Sequence, residues 1–318
     1  MPWLIGIDEA GYGPNLGPLV QTAVGAAAPD DGCLWKRLAA SVQKFGKKSH
    51  NGRLTIDDSK KVYGARHSLK NLELGVLATL LPAEQAFPLP LGRFLERVAP
   101  AALVELRGER WFVEAEPLPV VAEVEKVAAA AERFHARRTA ANVGEFWARC
   151  RVTPAALFNT LLDEFLNKAD VLCHGLCWLL REGRHPDSGA EPVIFAIDRQ
   201  GGRRYHEALL ASVCPEGWVR IVSEDAVCCR YRMDGPRQWH WSFEVEAESR
   251  HFTVALASMV SKYVREVLMG QFNRFWLTHV PGLKPTAGYP TDAGRFYAAI
   301  RPAMRELGID EATVWRRR

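Results

Sequence analysis

The chain has 318 residues, of which 48% are hydrophobic and 25% are charged. This composition is that of an ordinary globular protein and excludes a disordered, collagen-like or low-complexity chain, while the length allows one large domain or two smaller ones. The 41 Lys and Arg residues outnumber the 37 Asp and Glu residues by four, a mild excess that permits a polyanionic partner without requiring one.

No apolar run reaches the roughly 18 residues that a membrane-spanning helix needs. The N-terminus has no basic region and reaches Asp8 and Glu9 too early for a signal peptide. The seven cysteines have no zinc-binding spacing, and reduced thiols in the protein interior are the simpler interpretation. We therefore expect a cytoplasmic protein without membrane association.

Apolar runs and periodicities predict strands that alternate with helices. In the first third of the chain, the patterns predict a strand over 2–8, a loop over 11–18, a strand over 19–28 and helices over 30–44 and 64–81. In the middle they predict a strand pair around 103–106 and 111–113, a helix over 119–139 and a long helix or helix pair over 154–182. In the last part they predict strands over 192–198 and 239–247 and helices over 252–278 and 292–307. Such alternation predicts an α/β fold with a central sheet.

Four acidic side chains lie at or just past the ends of predicted strands, namely Asp8, Glu9, Asp198 and Glu248. Ligands of open α/β sheets gather at that edge, and clustered carboxylates repel one another unless cations bind between them. Carboxylate oxygens and water suit Mg²⁺ or Mn²⁺, and two such ions about 4 Å apart are the usual apparatus for phosphodiester hydrolysis. A single acid after a strand is more often a turn former or helix cap. That simpler interpretation explains an adjacent pair such as Asp8 and Glu9 less well.

Five segments resemble the motifs of type 2 ribonuclease H, the family of ribonucleases HII and HIII. They occur in the family's order and are GIDEAGYGPNLGPLV at 6–20, DDSKKV at 57–62 with Arg66 downstream, AID at 196–198, EAESRHFTVALASMVSKYVRE at 246–266, and GYPTDAGRFYAAI at 288–300 followed by the terminal RRR. The first motif contains three glycines and two prolines within residues 11–18, a composition that lets the backbone approach a ligand closely.

The resemblance implies a ribonuclease H-like fold, with a mixed sheet flanked by helices and a helical C-terminal part. We expect a catalytic domain over 1–270 and a C-terminal substrate-binding part over 271–318. Lys61 and Asp198 lie about twice as far apart as in the family, which predicts a large insertion within about 82–165. The basic residues Arg133, Arg137 and Arg138 of this segment form either a solvated helix face or an added duplex-binding surface.

The resemblance also implies an activity, which is cleavage of the RNA strand of RNA–DNA hybrids or cleavage at ribonucleotides in duplex DNA. The products are a 3′-hydroxyl and a 5′-phosphate, and the cellular context is DNA replication and repair. Asp8, Glu9, Asp198 and Glu248 become the catalytic ligands of Mg²⁺ or Mn²⁺, two ions in all. The implied substrate-binding residues are Gly11, Tyr12, Gly13, Ser59, Lys60, Lys61, Lys262 and Tyr289. We expect a monomer whose partner is nucleic acid.

Two positions depart from the family pattern. Glu248 stands where ribonuclease HII has Asp and ribonuclease HIII has Glu, and Tyr12 stands where HII has Arg and HIII usually Thr. Lys262 either neutralises charge near the metals or pairs with an acid, and Tyr289 either senses the substrate or packs under the last helix. A non-catalytic hybrid-binding protein and a nuclease with altered substrate choice remain alternatives on the same fold.

Overall fold

The computed structural model describes residues 1–30, 32–46, 52–64, 68–182, 191–200, 202–215, 217–234 and 238–317. Arg66 of the second motif and the final Arg318 lie outside the described residues. No helix within these ranges is both long and apolar enough to cross a bilayer.

The strands build one large sheet and two short pairs. They are β1 (Trp3–Ala10), β2 (Leu19–Ala27), β3 (Val42–Gln43), β4 (Leu54–Thr55), β5 (Leu89–Pro90), β6 (Pro117–Leu118), β7 (Trp147–Thr153), β8 (Val193–Asp198), β9 (Trp218–Glu224), β10 (Cys228–Asp234) and β11 (Trp239–Glu244). The large sheet has the order β7-β2-β1-β8-β11-β10-β9, while β3 pairs with β4 and β5 with β6. Strand β8 is parallel to both β1 and β11, whereas the other neighbours in the large sheet are antiparallel.

Helices cover both faces of this sheet. They are α1 (Leu34–Arg37), α2 (Ser59–Tyr63), α3 (Leu69–Leu80), α4 (Leu91–Val98), α5 (Ala102–Arg107), α6 (Val124–Ala140), α7 (Ala155–Phe165), α8 (Lys168–Glu182), α9 (Glu207–Val213), α10 (Phe252–His279), α11 (Pro290–Leu307) and α12 (Glu311–Val314). Helix α10 packs on one face with α3 to α6, and α8 and α9 cover the other. The predicted α/β fold, a mixed sheet flanked by helices, is therefore confirmed.

Most predicted elements are confirmed, and the wrong ones have a physical explanation. Segment 103–106 forms helix α5 instead of a strand because Leu103 and Leu106 are buried three residues apart while Val104 is exposed. Segment 111–113 forms neither strand nor helix. The helix expected over 30–44 is limited to α1, since the chain then pairs as β3 with β4.

Strands β7, β9 and β10 were not predicted. In β7 buried and less buried residues alternate, with Ala148, Cys150 and Val152 buried and arginines between them. The arginines made this stretch resemble a basic surface segment, which hid the strand pattern. Strand β9 is the outer strand of the sheet, and four of its seven residues are exposed while none is fully buried, so its sequence carries no fully buried face for a pattern to reveal.

Much of segment 82–165 is built into the main body of the protein. Helices α4, α5 and α6 contribute to the same core as β2 and α10, and β7 pairs with β2 in the large sheet. Helix α10 runs continuously across residue 270. The division into a catalytic domain over 1–270 and a C-terminal part over 271–318 stays a prediction.

Close contact between α10 and β1 fixes the geometry of the sheet edge. A Cβ atom on Gly6 would lie 2.2 Å from the backbone nitrogen of Val254, so only glycine allows this approach. Farther along the helix, the Ser261 hydroxyl donates to the Asp8 carbonyl oxygen (3.2 Å) and to the Thr22 hydroxyl (2.7 Å). The first turns of α10 are therefore held against the strand that carries Asp8.

Glu73 on α3 is a buried carboxylate that secures the loop before α6. It accepts hydrogen bonds from the backbone amides of Val120, Val121 and Ala122, and the Tyr263 hydroxyl donates to it from α10 (3.2 Å). The carboxylate thus joins the loop to the two helices beneath it.

We expect Glu73→Ala to lower the free energy of unfolding by roughly 3 kcal/mol, because it leaves three backbone amides, that of the buried Ala122 among them, and the buried Tyr263 hydroxyl without an acceptor. Urea denaturation followed by circular dichroism measures this change. Glu114, whose carboxylate pairs with Arg107 at the surface, provides the control Glu114→Ala, for which we expect a much smaller change because surface ion pairs contribute little. Equal effects of the two substitutions would contradict the assigned role of Glu73.

Candidate metal centre and cleft

The pairing of β1, β8 and β11 brings the predicted acids to one edge of the sheet. Ile7 on β1 lies opposite Ile197 on β8, so Asp8 and Asp198 follow at neighbouring positions in the parallel register. Strand β11 ends beside β8 at Glu244, and the chain then makes a 3-10 turn over Ala247–Ser249 before α10 begins. This turn carries Glu248, and the Ala247 amide in it donates to Asp198 Oδ1 (3.0 Å).

Asp8 lies deepest, with 7% of its surface exposed. Burial raises the pKa of its carboxyl well above the ordinary value, and the charges of Glu9 and Asp198 raise it further. A hydrogen bond with Ser258 of α10 and the Glu9 amide, which donates to Oδ1 (2.7 Å), act in the opposite direction. Asp8 is therefore held in place by its neighbours while its negative charge is disfavoured.

The other three acids share this electrostatic problem. Burial, followed by the charge of Asp198, raises the pKa of Glu9 to about 7. Burial also raises the pKa of Asp198. For Glu248, burial is again the main cause of a raised pKa, and the charges of Asp198 and Asp58 add to it. The four carboxylates thus form one group in which burial and mutual repulsion disfavour negative charge.

The donor chemistry of this group fits a hard divalent cation. Glu9 Oε2 is buried and has no hydrogen-bond partner, which leaves an unsatisfied acceptor beside the other acids. Within the described ranges, however, no three His, Cys, Asp or Glu side chains converge tightly enough to enclose an ion. One reason is that Asp8 and Glu9 are successive residues of β1 and so project to opposite faces of the sheet. The acids are neighbours but not a preformed ligand shell.

The segment 57–62 reaches the same edge through α2. The Lys60 charge lowers the pKa values of Glu9, Asp198 and Glu248, which places this exposed side chain beside the acids. Lys61 pairs instead with Asp57 (3.6 Å).

Ser59 is only 5% exposed. Its hydroxyl accepts a hydrogen bond from Ser258 (3.0 Å), the same serine that bonds Asp8. The structure therefore gives Ser59 a contact with α10 in the protein interior.

The loop that carries Gly11 and Gly13 rests on two buried arginines. Arg316, 1% exposed, donates to the carbonyl oxygens of Gly11 (2.6 Å) and Pro14, and burial lowers its pKa to about 9, with a further contribution from the charge of Arg265. Gly11 has φ of +90°, and a Cβ there would lie 2.6 Å from Arg265 Nε. Glycine is therefore required at this position, and positive charge lies directly behind the loop.

Tyr289 lies next to this loop. Its ring passes 3.9 Å from where a Cβ of Gly13 would be, and 45% of the residue is exposed. The backbone is fixed because Gly288, with φ of +81°, accepts hydrogen bonds from Asn15 and Leu16. Tyr289 is thus presented on the surface rather than packed under the last helix.

Tyr12 turns away from this surface. Its ring packs beside the apolar cluster between β2, α7 and α8, with Lys168 Nζ 4.5 Å from the ring centroid. Burial, and then the charge of Glu9, raises its pKa.

A groove of about 600 Å³ joins Lys60 to Tyr289 along α10. Lys262 lines it and pairs with Glu266 (2.7 Å), which also accepts from the Tyr63 hydroxyl (2.9 Å). Of the two interpretations of Lys262, the structure shows the ion pair.

The arginines at the basic end of α6 differ in exposure and in what they contact. Arg138 is 8% exposed and donates to the Val143 carbonyl oxygen (2.6 Å), so it joins the end of α6 to the segment that follows instead of offering its charge to a ligand. Arg133 is exposed and Arg137 is half-buried. A surface that uses all three arginines is therefore ruled out.

Three residues of the site were not among the predicted site residues: Asp58 and Arg316, which lie within the second and the terminal motif, and Gln200, which lies in none. Asp58 caps α2 by accepting from the Lys60 amide (3.0 Å) and acts on Glu248 through its charge. Arg316 belongs to the terminal basic motif, which was the available signal. Nothing local in the sequence points to Gln200, since its partners lie far away along the chain.

No protein-family model matches the chain, and no curated protein matches it. Solved structures do resemble it. They include ribonuclease HII of Archaeoglobus fulgidus, from its complex with PCNA (14% identity, TM-score 0.44, 99% of this chain and 94% of that chain), and ribonuclease H2 of Pyrococcus horikoshii OT3 (11%, 0.43, 98% and 92%). A third is Bst-RNase HIII in complex with Mn²⁺ (15%, 0.41, 98% and 65%).

These similar structures are all ribonucleases HII or HIII, the family that the motifs resemble. At TM-scores of 0.39–0.44 and identities of 11–16%, we take no residue's role from them.

The raised pKa of Glu9 predicts how stability depends on pH without metal. Below pH about 4.5 the carboxyl is protonated in both folded and unfolded chains, so stability is lost as the pH rises from there through about 7. We expect Glu9→Gln to stabilise the protein at pH 8, with a higher melting temperature and a gain of up to about 3 kcal/mol in the free energy of unfolding. At pH 4.5 the substitution should change the melting temperature little.

Calorimetry in the presence of a chelator measures this difference. Glu132→Gln, at an exposed position of α6, is the control and should have no effect at either pH. A Glu9→Gln protein with wild-type stability at pH 8 would show that Glu9 carries no electrostatic strain.

Proposed function

We propose that the chain is a metal-dependent endoribonuclease of the type 2 ribonuclease H kind, acting on RNA–DNA hybrids or on ribonucleotides in duplex DNA. The observation that carries the proposal is the meeting of Asp8, Glu9, Asp198 and Glu248, from three separate segments, as one charge-coupled group at the sheet edge. Acids that raise one another's pKa cost stability, and such perturbed groups cluster at functional sites.

Asp8, Glu9, Asp198 and Glu248 are the residues that would hold Mg²⁺ or Mn²⁺. Bound there, the cations supply positive charge for the attacking and leaving oxygens of phosphodiester hydrolysis. In the reaction, water adds its oxygen to phosphorus and the bond from phosphorus to the 3′ oxygen breaks, which leaves a 3′-hydroxyl and a 5′-phosphate.

The chain's own basic groups support binding of a phosphate at this edge. Lys60 places an exposed ammonium group beside the acids, where it can neutralise a phosphate oxygen. Arg265 and Arg316 add positive charge behind the loop from Gly11 to Gly13. This combination favours an anionic backbone approaching between the loop and α2.

Recognition of the ribose is proposed for the backbone of the same loop. Gly11 and Gly13 carry no side chain, so backbone amides and carbonyls can reach a 2′-hydroxyl, the group that distinguishes RNA from DNA. Tyr289 lies beside Gly13 with nearly half its surface exposed, a position suited to packing against the adjoining sugar.

The groove along α10 supports a duplex as the substrate. It continues from Lys60 past Lys262 to Tyr289, and a ribonuclease with this path needs no sequence-specific contacts because phosphates and sugars supply the register. All the acids belong to one chain, which supports action as a monomer. The cytoplasm and DNA replication and repair are proposed as its setting because the motifs resemble type 2 ribonuclease H.

The direct test uses three labelled duplexes with Mg²⁺ or Mn²⁺: DNA only, DNA with one ribonucleotide, and an RNA–DNA hybrid. We expect cleavage of one or both ribonucleotide-containing duplexes and none of the DNA duplex, with 3′-hydroxyl and 5′-phosphate products on denaturing gels. Asp198→Asn should lower the rate by about 10³-fold or more, since it removes a ligand charge from the site. Asp163→Asn, at an exposed acid on α7, is the control.

Each possible result has a distinct meaning. Binding of the hybrid without cleavage would favour the non-catalytic alternative. Cleavage of the DNA duplex would favour a nuclease with altered substrate choice. Wild-type activity of Asp198→Asn would remove the sheet edge from the mechanism.

Tyr289 yields a prediction about substrate preference. A ring that packs on the sugar following the ribonucleotide favours a deoxyribose there, because a 2′-hydroxyl beneath it is crowded. We therefore expect Tyr289→Ala to slow cleavage at a single embedded ribonucleotide about 10-fold more than cleavage of a continuous hybrid, a difference worth about 1.4 kcal/mol. Tyr289→Phe should keep most of the preference. Equal losses on both substrates would assign Tyr289 to general binding.

A further inference from the structure

Two buried glutamines stand behind Glu9 and have no place in the function proposed above. Gln21 on β2 lies directly opposite Glu9 on β1 and is fully buried. Gln200 follows the end of β8, two residues after Asp198, and is 6% exposed. Both side chains therefore lie within the protein next to the metal centre, where an amide is costly to bury unless its hydrogen bonds are used.

Hydrogen bonds fix the orientation of Gln21. Its Nε2 donates to the backbone carbonyl oxygen of Leu172 on α8 (3.0 Å) and to Gln200 Oε1 (3.2 Å). A carbonyl oxygen can only accept, so the nitrogen of Gln21 must be the atom facing Leu172. Helix α8 has glycine at the facing position, where a Cβ on Gly175 would lie 1.8 Å from Gln21 Oε1.

The orientation of Gln21 determines that of Gln200. Since Gln21 offers a donor, Gln200 must present its oxygen to it, and its own amide nitrogen then points away from Gln21. That nitrogen is buried and has no partner, and Glu9 Oε2 is also buried without a partner. Gln21, the hydrogen-bond partner of Gln200, faces Glu9 directly across the β1–β2 pair, so these side chains lie on the same face of the sheet. The two unpaired groups are thus close neighbours.

We propose that Gln200, held by Gln21, is a positioning residue that orients the Glu9 carboxylate for cation binding. The proposal rests on the proposed function, because it assumes that Glu9 is a metal ligand. Gln200 does not touch the substrate or the cation in this arrangement; it donates from one side of Glu9 so that the other carboxylate oxygen is presented to the site.

The arrangement also explains why Glu9 needs such help. Its neighbour Asp8 is anchored by Ser258 and by a backbone amide, whereas Glu9 has a longer side chain and, within the described ranges, no hydrogen bond that fixes its Oε2. A ligand that is free to rotate loses conformational entropy when it binds an ion. An amide donor supplied by a rigid chain of contacts reduces that loss, as outer-shell partners of metal ligands generally do.

The test measures Mn²⁺ affinity directly, by the electron paramagnetic resonance signal of free Mn²⁺, with no nucleic acid present. We expect Gln200→Met, which keeps the volume and removes the amide, to weaken Mn²⁺ binding by about 10-fold. In the hybrid cleavage assay, the Mn²⁺ concentration for half-maximal rate should rise by the same factor while the rate at saturating Mn²⁺ changes little. Gln271→Met is the matched control, because Gln271 is also buried and hydrogen-bonded, to Val113, far along α10.

A double-mutant cycle isolates the path through Gln21. Gln21→Met leaves Gln200 free to turn, so it should also weaken Mn²⁺ binding, and the double variant should bind no more weakly than Gln200→Met alone. If Gln200→Met does not fold, as judged by circular dichroism, Gln21→Met carries the test by itself.

Several results would overturn the proposal. Wild-type Mn²⁺ affinity in Gln200→Met or Gln21→Met would do so, and so would an equal loss in Gln271→Met or additive losses in the double variant. A wild-type protein that binds no Mn²⁺ would instead overturn the proposed function itself, so the two failures are distinguishable.

Discussion

Repulsion among buried carboxylates is the constraint on which the rest of the structure depends. Asp8 and Asp198 are brought together by the parallel pairing of β1 with β8, and burial disfavours the charge of each. The two strands cannot move apart without breaking their backbone pairing, and the close contact of α10 at Gly6 holds β1 from one face. The fold therefore maintains an unfavourable cluster of negative charge, and cation binding is the simplest way for it to be neutralised.

The neighbouring loop carries the opposite electrostatic strain. Arg316 is a buried guanidinium whose hydrogen bonds within the described residues go to backbone carbonyls, and Arg265 lies close enough to lower its pKa. A positive loop beside a negative sheet edge is an arrangement that suits a metal-dependent reaction of a phosphodiester, since the anion and the cations stabilise each other. Each half of the site is costly alone, and under the proposed function a bound phosphodiester and cations would offset both.

Much of the fold was predictable because burial imposes periodic patterns. The strands 3–10, 19–27 and 193–198 and helix α10 are long, apolar segments, and they were found close to their true bounds. Short elements were not: Leu103 and Leu106 suit a helix as well as a strand, and the exposed edge strand β9 has no buried face. The predicted acids assemble because they follow the ends of strands that are neighbours in the sheet. No local pattern in the sequence reveals that strand order.

The sequence by itself determined which residues are candidates for the site, namely the four acids, the glycine loop and Tyr289, because they lie in short motifs whose chemistry is local. Only the tertiary structure decided their partners. Gln21 meets Leu172 and Gln200 across 151 and 179 residues of chain, and Arg316 reaches Gly11 across 305. The tertiary structure likewise gives Ser59 and Lys262 hydrogen-bond partners on α10, which are Ser258 and Glu266. The physical reason is that a hydrogen bond depends on where two groups lie in space, which the packing of the sheet and helices sets.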